Sequence, residues 1–207
     1  MKKMILLAVL GILSNTLHSQ IGQTKKKELD SLRNELEVLF MKDQTFRRIY
    51  IEAEKKLGKN SNEMEYFWEV VESQDKVLEI QVIKIIEKYG WLGISQVGKL
   101  ANTAIWAVLQ HGSVESKEKY SPLLKESVLK KESQPMHYAR LVDRMLINAD
   151  NPQIYGTQYK YNSKGKGTFF TVEQPEYINQ RRRKLGLKTI QKFAKQVGIE
   201  WNVPQKK

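Results

Sequence analysis

The 207-residue chain contains no cysteine. That absence excludes a lipid-anchored lipoprotein, a disulfide-stapled scaffold and a thiol nucleophile or metal ligand, so the fold must rest on core burial alone. Three chemical signatures are missing as well. There is no phosphate-cradling glycine loop, no His-x-x-x-His pair and no local nucleophile motif, so no reaction class follows from a short pattern. Neither a nucleic-acid-binding motif nor an internal repeat or low-complexity linker is present, which makes one domain the default.

Long apolar runs are also scarce. The one near the N-terminus, Met4 to Leu13, is half of what a bilayer requires, ~20 residues. It follows Lys2 and Lys3 and gives way to Ser14-Asn15-Thr16-Leu17-His18-Ser19. A basic start, a short apolar run and a polar stretch closing on a small residue are the parts of a cleavable signal peptide. Residues 1–19 are therefore expected to be removed, with the cut after Ser19, and the protein to be periplasmic or secreted. Residues 20–207 are expected to form one soluble domain without a membrane span. Such a domain, roughly 188 residues, is long enough to bury a sizeable core.

Basic residues are in excess, with Lys+Arg 35 against Asp+Glu 23 and a net charge of +12. Such a surface favours anionic partners, while scattered lysines equally describe a solvated exterior. Local clusters stand at Lys25 to Lys27, Lys164 and Lys166, Arg181 to Lys184 and Lys206-Lys207.

Apolar residues recur at three-four spacing through most of the chain, which predicts a mainly α fold of five to seven helices. Thr24 to Leu57 forms the first helix, closed by Gly58, and Met64 to Tyr89 the second, closed by Gly90. Ser95 is expected to cap a third that Gly112 stops. Helix resumes from Ser113 to Lys131, with Pro122 at a first helical position behind Ser121, and a fifth runs from about Pro135 to Met145. Between Leu146 and Val172, β-favouring residues broken by Asp150-Asn151-Pro152 and Ser163-Lys164-Gly165-Lys166-Gly167 predict a small antiparallel hairpin or meander. Pro175 to Leu185 and Lys188 to Val197 return to helical spacing around Gly186.

The informative positions are those where a polar residue interrupts an apolar series. On the first helix 36, 39, 43, 46, 50 places Asp43 inward, with Arg47 one turn along the same edge. On the second, 68, 71, 75, 78, 82 does the same for Asp75. The third ends its series in His111, beside Gln110, and the fifth surrounds Asp143 with Met136, Ala139 and Leu146, followed by Arg144. A carboxylate inside a core is tolerated only if paired or coordinated. One account is a structural network: Asp43 with Arg47, Asp143 and Arg144 with neighbours, Asp75 capping a helix that restarts after Ser73-Gln74, and His111 at a helix C-terminus. The other is a cleft in which carboxylates and an imidazole act as acid and base. A divalent metal would serve these carboxylates, although nothing in the pattern requires one.

In Gln153-Ile154-Tyr155-Gly156-Thr157-Gln158, strand alternation would put Gln153, Tyr155 and Thr157 on one face and Gln158 on the other. Gly156 inside such a segment suggests a bulge or a close approach to its backbone.

Asp43-Gln44 with Arg47, Gly90-Trp91, Gln110-His111, Asp143-Arg144, Gln153 with Tyr155-Gly156-Thr157-Gln158, and an arginine pair before Gly186-Leu187 occur in this order. In that order they resemble a bacterial domain-of-unknown-function family marked by its Tyr-Gly-Thr-Gln signature, over roughly Leu36 to Phe193. Two positions depart from the family pattern: Leu92 follows the Gly-Trp pair where proline is usual, and the asparagine expected shortly after Asp75 is missing. The resemblance implies no activity; it implies that the inward polar residues share one site. Three readings follow. In a hydrolase-like enzyme, His111 is base or metal ligand, Asp43, Asp143 and Asp75 orient it or share a proton, and Arg47, Arg144 or Arg182 bind an anionic group, with Gln110, Gln153, Tyr155, Thr157 and Gln158 as ligand contacts. In a noncatalytic module, the same residues bind an anionic small molecule or envelope glycan. In the third reading they only specify the fold.

Overall fold

The computed structural model describes residues 2–206 apart from Ser163, with side chains from Gly22 onward. Among the described residues the order is α1 (Lys2–Leu57), α2 (Asn62–Tyr89), α3 (Ile94–His111), α4 (Val114–Leu129), α5 (Pro135–Asn148), β1 (Tyr159–Tyr161), β2 (Gly167–Phe169), a 3-10 turn at Pro175–Tyr177, α6 (Ile178–Lys184) and α7 (Ile190–Gln196). This is the mainly α architecture with a small hairpin that the spacing predicts. The expected signal peptide falls where side chains lie outside the described residues. Among the described residues no helix is long and apolar enough to cross a membrane.

Helix α3 is the central element, because nearly every turn of it buries apolar side chains. Val97, Ala101, Ala104, Ile105, Val108 and Leu109 pack against Leu32, Leu36 and Leu39 of α1 and Leu78, Val82 and Ile85 of α2. Small residues on α3 let α1 lie close, and the three-four spacing keeps each apolar stripe turned toward the others. A second cluster joins Leu124 and Val128 of α4 to Ala139 and Leu141 of α5 and to Leu185. A third places Ile178, Ile190 and Phe193 against the hairpin residues Tyr159 and Phe169.

Local chemistry sets the element boundaries. Ser61 caps α2 by accepting from the Met64 N–H at 3.2 Å, and Ser113 caps α4 by accepting from Ser116 at 3.1 Å. Helix α3 is capped two residues before the expected serine: Gly93 is its N-cap, Gln96 Oε1 accepts the Gly93 N–H at 2.9 Å, and Ser95 lies inside the first turn, its N–H bonded to Glu132 Oε2. The helix is interrupted at Gly98, where φ is +84°, and Arg33 Nε donates to the Val97 carbonyl at 3.0 Å. Pro122 does not begin a helix as expected but sits within α4. Proline has no N–H to offer the carbonyl four residues back, which is that of Glu118. The Ser121 hydroxyl donates to that carbonyl at 3.4 Å.

The β structure is shorter than the sequence suggests. Strands β1 and β2 pair antiparallel with Tyr159 opposite Phe169 and Tyr161 opposite Gly167. Residues 146–148 continue α5, and 154–158 form an irregular loop rather than a strand. A single parallel bridge, Gln153 with Val172, ties the start of that loop to the chain after β2.

Candidate functional site

Asp43 points inward as its spacing requires and is 1 % exposed. Its Oδ1 lies 2.9 Å from His111 Nδ1 at the end of α3, and its Oδ2 accepts from Gln44 Nε2 at 2.7 Å. Arg47, one turn later on α1, spans three helices with its planar fork. Its Nε donates to His111 Nε2 at 3.2 Å, Nη1 to the Asp43 carbonyl at 2.9 Å, and Nη2 to Asp75 Oδ2 at 2.6 Å. Since Nε2 accepts from Arg47, the geometry fits the tautomer with the ring proton on Nδ1, donated to Asp43. Burial opposes ionisation of Asp43, but the hydrogen bond from His111, with the charge of Arg47 and the Gln44 amide, outweighs it and holds the carboxyl below its ordinary range.

Asp75 therefore joins Asp43, Arg47 and His111 and caps nothing, because α2 runs unbroken past Ser73 and Gln74. Its second oxygen, Oδ1, is buried without a hydrogen-bond partner. The carboxylates and the imidazole gather around a guanidinium. Among the described residues no group of three His, Cys, Asp or Glu side chains could hold a metal ion.

Asp143 lies apart from that group and is fully buried. Its carboxylate organises the Tyr-Gly-Thr-Gln segment. Oδ1 accepts the N–H groups of Ile154 and Tyr155, both at 2.9 Å, and Oδ2 accepts the N–H and hydroxyl of Thr157, both at 2.8 Å. Burial pushes this carboxyl up while the four donors pull it down, with burial the larger effect. Strand alternation fails here for that reason: successive N–H groups turn toward one acceptor instead of alternating across a sheet. Gly156 permits the turn with φ at +67°, and a Cβ there would meet Ile178 Cδ1 at 2.8 Å and Ile190 Cδ1 at 2.9 Å. The close approach expected at this glycine is thus present, made by two core isoleucines.

Gln153 closes the loop from its other end. Its amide donates to the carbonyls of Gln158 at 2.9 Å and Phe170 at 3.0 Å and accepts the Gln158 N–H at 2.9 Å. Arg182, also fully buried, donates through Nη1 to the Tyr155 carbonyl and through Nε to the Lys188 carbonyl. Burial pulls its pKa down to about 10 against the attraction of Asp143. The Tyr155 ring packs edge-on to Tyr138, 6.2 Å between centroids.

Between these two constellations lies a cavity of about 360 Å³. Helix α3 contributes Trp106, Gln110 and His111; α5 contributes Arg140 and Arg144; the loop and the start of β1 contribute Thr157, Gln158 and Tyr159. A larger open groove, about 820 Å³, runs between α1 and α2, but none of the inward polar residues lines it. Of the sequence-predicted site residues, Gln110, His111, Arg144, Thr157 and Gln158 line the cavity. Asp43, Arg47 and Asp75 stand behind His111, and Asp143 stands beneath Thr157. Gln153, Tyr155 and Arg182 do not reach the cavity and act on the loop.

Sequence reasoning missed Trp106, Arg140 and Tyr159. Trp106 is one turn from Gln110, and Arg140 one turn from Arg144, so each shares a helix face with a residue that was singled out. Among the described residues, neither Arg140 nor Arg144 has a carboxylate within ion-pair distance. Two guanidinium groups with no internal counter-charge make the lining of this cavity cationic.

Fold and site together define a helical domain with a cationic cavity braced by a buried carboxylate. The chain belongs to a family of unknown function, DUF6624, whose model matches residues 30–202. No curated protein and no solved structure matches it.

Proposed function

We propose that the protein is an exported, noncatalytic binding protein that takes a small anionic ligand, such as an acidic envelope metabolite or glycan unit, into the cavity between α3, α5 and the 153–158 loop. The observation that carries this reading is the pair Arg140 and Arg144, which line the cavity without a carboxylate partner. Guanidinium groups left uncompensated in a concave site are suited to paired hydrogen bonds with carboxylate or phosphate oxygens. Titration with inorganic phosphate, acetate and glucuronate, followed by calorimetry, tests it. At least one should bind saturably, with affinity falling as salt rises and dropping at least ~10-fold in Arg144→Ala. Absence of binding by all three, or an unchanged affinity in the variant, overturns the reading.

A second reading, hydrolase-like catalysis, draws support from the Asp43–His111 pair, because His111 also lines the cavity. An imidazole oriented by a buried carboxylate is the arrangement of a general base. Here, however, the Nε2 lone pair is occupied by Arg47, so the base becomes available only if that hydrogen bond is released. Turnover of p-nitrophenyl esters or phosphates that is abolished in His111→Asn but retained in Arg47→Lys would favour catalysis. Export is tested by fractionating cells that express the full chain. A product shortened by residues 1–19 outside the cytoplasm is expected, and an intact cytoplasmic product counts against it.

A further inference from the structure

Helix α2 carries its charges in two blocks. From Asn62 to Asp75 it holds Glu63, Glu65, Glu69, Glu72 and Asp75 and no cation, and its cations, Lys76, Lys84 and Lys88, all follow. The two acids of the second half are engaged within the chain: Glu79 accepts from Ser113, and Glu87 from Lys119 and Tyr120. The helix dipole accounts for charges in the first and last turns, but not for Glu69, Glu72 or Lys84 further in. Glu65, Glu69 and Ser73 continue at helical steps into Val77, Ile80, Lys84 and Lys88, so one exposed stripe runs ~35 Å along the helix. Among the described residues, Glu65, Glu69, Lys84 and Lys88 have no ion-pair partner. At the middle of the stripe Val77 and Ile80 are each 55 % exposed, and Val38 of α1, 52 % exposed, lines the same open groove as Lys84 and Lys88. Neighbouring bare apolar side chains framed by charge are the mark of a contact surface.

We infer that this stripe is covered by a second copy of the chain, α2 lying antiparallel on α2 about a two-fold axis between Lys76 and Val77. The charges are arranged symmetrically, with opposite sign, about that point. Glu69 and Lys84 stand at equal distances on either side of it, as do Glu65 and Lys88 and, nearer in, Ser73 and Ile80. Antiparallel pairing sets Glu69 across from the partner's Lys84 and Glu65 across from the partner's Lys88, and the symmetry makes each pair occur twice. Val77 and Ile80 are then buried at the centre. Lys76, beside the axis, keeps Glu72 one turn away as its counter-charge. A partner of one sign would match one block and be repelled by the other, whereas the chain itself matches both. The two-fold closes the assembly at a dimer.

Sedimentation velocity of the full-length protein over about 1–200 µM reads this directly. A dimer that weakens as salt rises is expected. Glu69→Lys and Lys84→Glu should each weaken association at least ~10-fold, because each sets like charges face to face twice. The double variant Glu69→Lys/Lys84→Glu restores both pairs with their signs exchanged and should return to within about threefold of the unaltered protein. An equimolar mixture of the two single variants should form a mixed dimer more readily than either forms alone, a gain that misfolding of either could not produce. A monomer throughout the range overturns the inference and leaves the stripe to a partner of another sequence. A dimer that neither single variant weakens, or that the double variant fails to restore, overturns this interface. The anion-binding reading stands or falls separately, because Arg140 and Arg144 lie on α5 and take no part in these pairs.

Discussion

Arg47 on α1 donates its Nε–H to the Nε2 of His111 on α3, 3.2 Å away, while the other ring nitrogen faces Asp43. The imidazole is thereby held between a buried carboxylate and a guanidinium that also grips Asp75 from α2. Three helices are joined by one side chain, and each member satisfies another. With asparagine at position 43, one of the two donors, His111 Nδ1 or Gln44 Nε2, loses its acceptor and meets an NH₂ instead, and the negative charge facing Arg47 is gone. Asp43→Asn should lower stability by about 2 kcal/mol at neutral pH, measured by chemical denaturation. Since the folded pKa of Asp43 lies below its ordinary value, its contribution is fully present above about pH 4 and is lost as pH falls through the folded value. The gap between the unaltered protein and Asp43→Asn should therefore narrow on acidification, and a gap that widens would contradict the pairing.

The buried imidazole of His137 supplies a second pH effect of different origin. It stacks on Trp106 with 4.1 Å between ring centroids and 2° between planes. Burial, with Arg140 and Lys99 nearby, pulls its pKa from 6.5 to about 4. In the unfolded chain this histidine binds its proton at higher pH than in the folded one. Stability should thus fall as pH drops from about 6.5 toward 4, by on the order of 2 kcal/mol. His137→Phe, which keeps a flat ring against the indole, should flatten the profile in that window. An unaltered slope in the variant would show that other groups cause it.

Asp143 is predicted to control the loop more than the overall fold. Asp143→Ala would strand three backbone N–H groups and the Thr157 hydroxyl at once, a loss of about 3 kcal/mol or more. Asp143→Asn places an NH₂ where Thr157 now donates, or where Ile154 and Tyr155 do, and should be nearly as disruptive. Hydrogen exchange reads this directly: the amides of Ile154, Tyr155 and Thr157 should exchange far faster in either variant, with those of α2 little changed. Uniform acceleration across the chain would instead mark Asp143 as a global stabiliser.

Gly156 carries both a positive φ and a crowded Cβ position. Gly156→Ala should destabilise by about 2–3 kcal/mol, the sum of a left-handed backbone penalty and overpacking against Ile178 and Ile190. Because the crowding involves the Ile190 Cδ1 atom, adding Ile190→Val should recover part of the loss. Thermal melts of the two variants check this, and a strictly additive double variant would argue that backbone strain alone is responsible.

The existence and order of the helices and the inward polar residues were legible because they depend on periodicity. Asp43, Asp75, His111 and Asp143 each break an apolar stripe, and the packing of α1, α2 and α3 turns the first three toward one another. What periodicity cannot carry is which chain segment a buried carboxylate meets. Asp143 faces a loop that follows it by 11 to 14 residues, and its pull on that loop's N–H groups is what defeats the strand expected from Ile154, Tyr155 and Thr157. The expected Ser95 cap gave way to Gly93 because the carboxylate of Glu132, remote in sequence, takes the Ser95 N–H. Trp106 and Arg140 were invisible as site residues for a related reason. Nothing in the sequence tells which of two adjacent helix faces will border a void.

Asp143 sits on the same helix as Arg140 and Arg144, and it holds the loop that supplies Thr157 and Gln158. Gln158 in turn donates to the Arg140 carbonyl at 3.3 Å. The cationic wall and the loop opposite are therefore fixed to one another before any ligand arrives. Preorganisation of this kind spares a binding event the entropy of ordering a loop. A ligand for this cavity should then bind without a disorder-to-order transition, choosing among its own conformations rather than those of the protein.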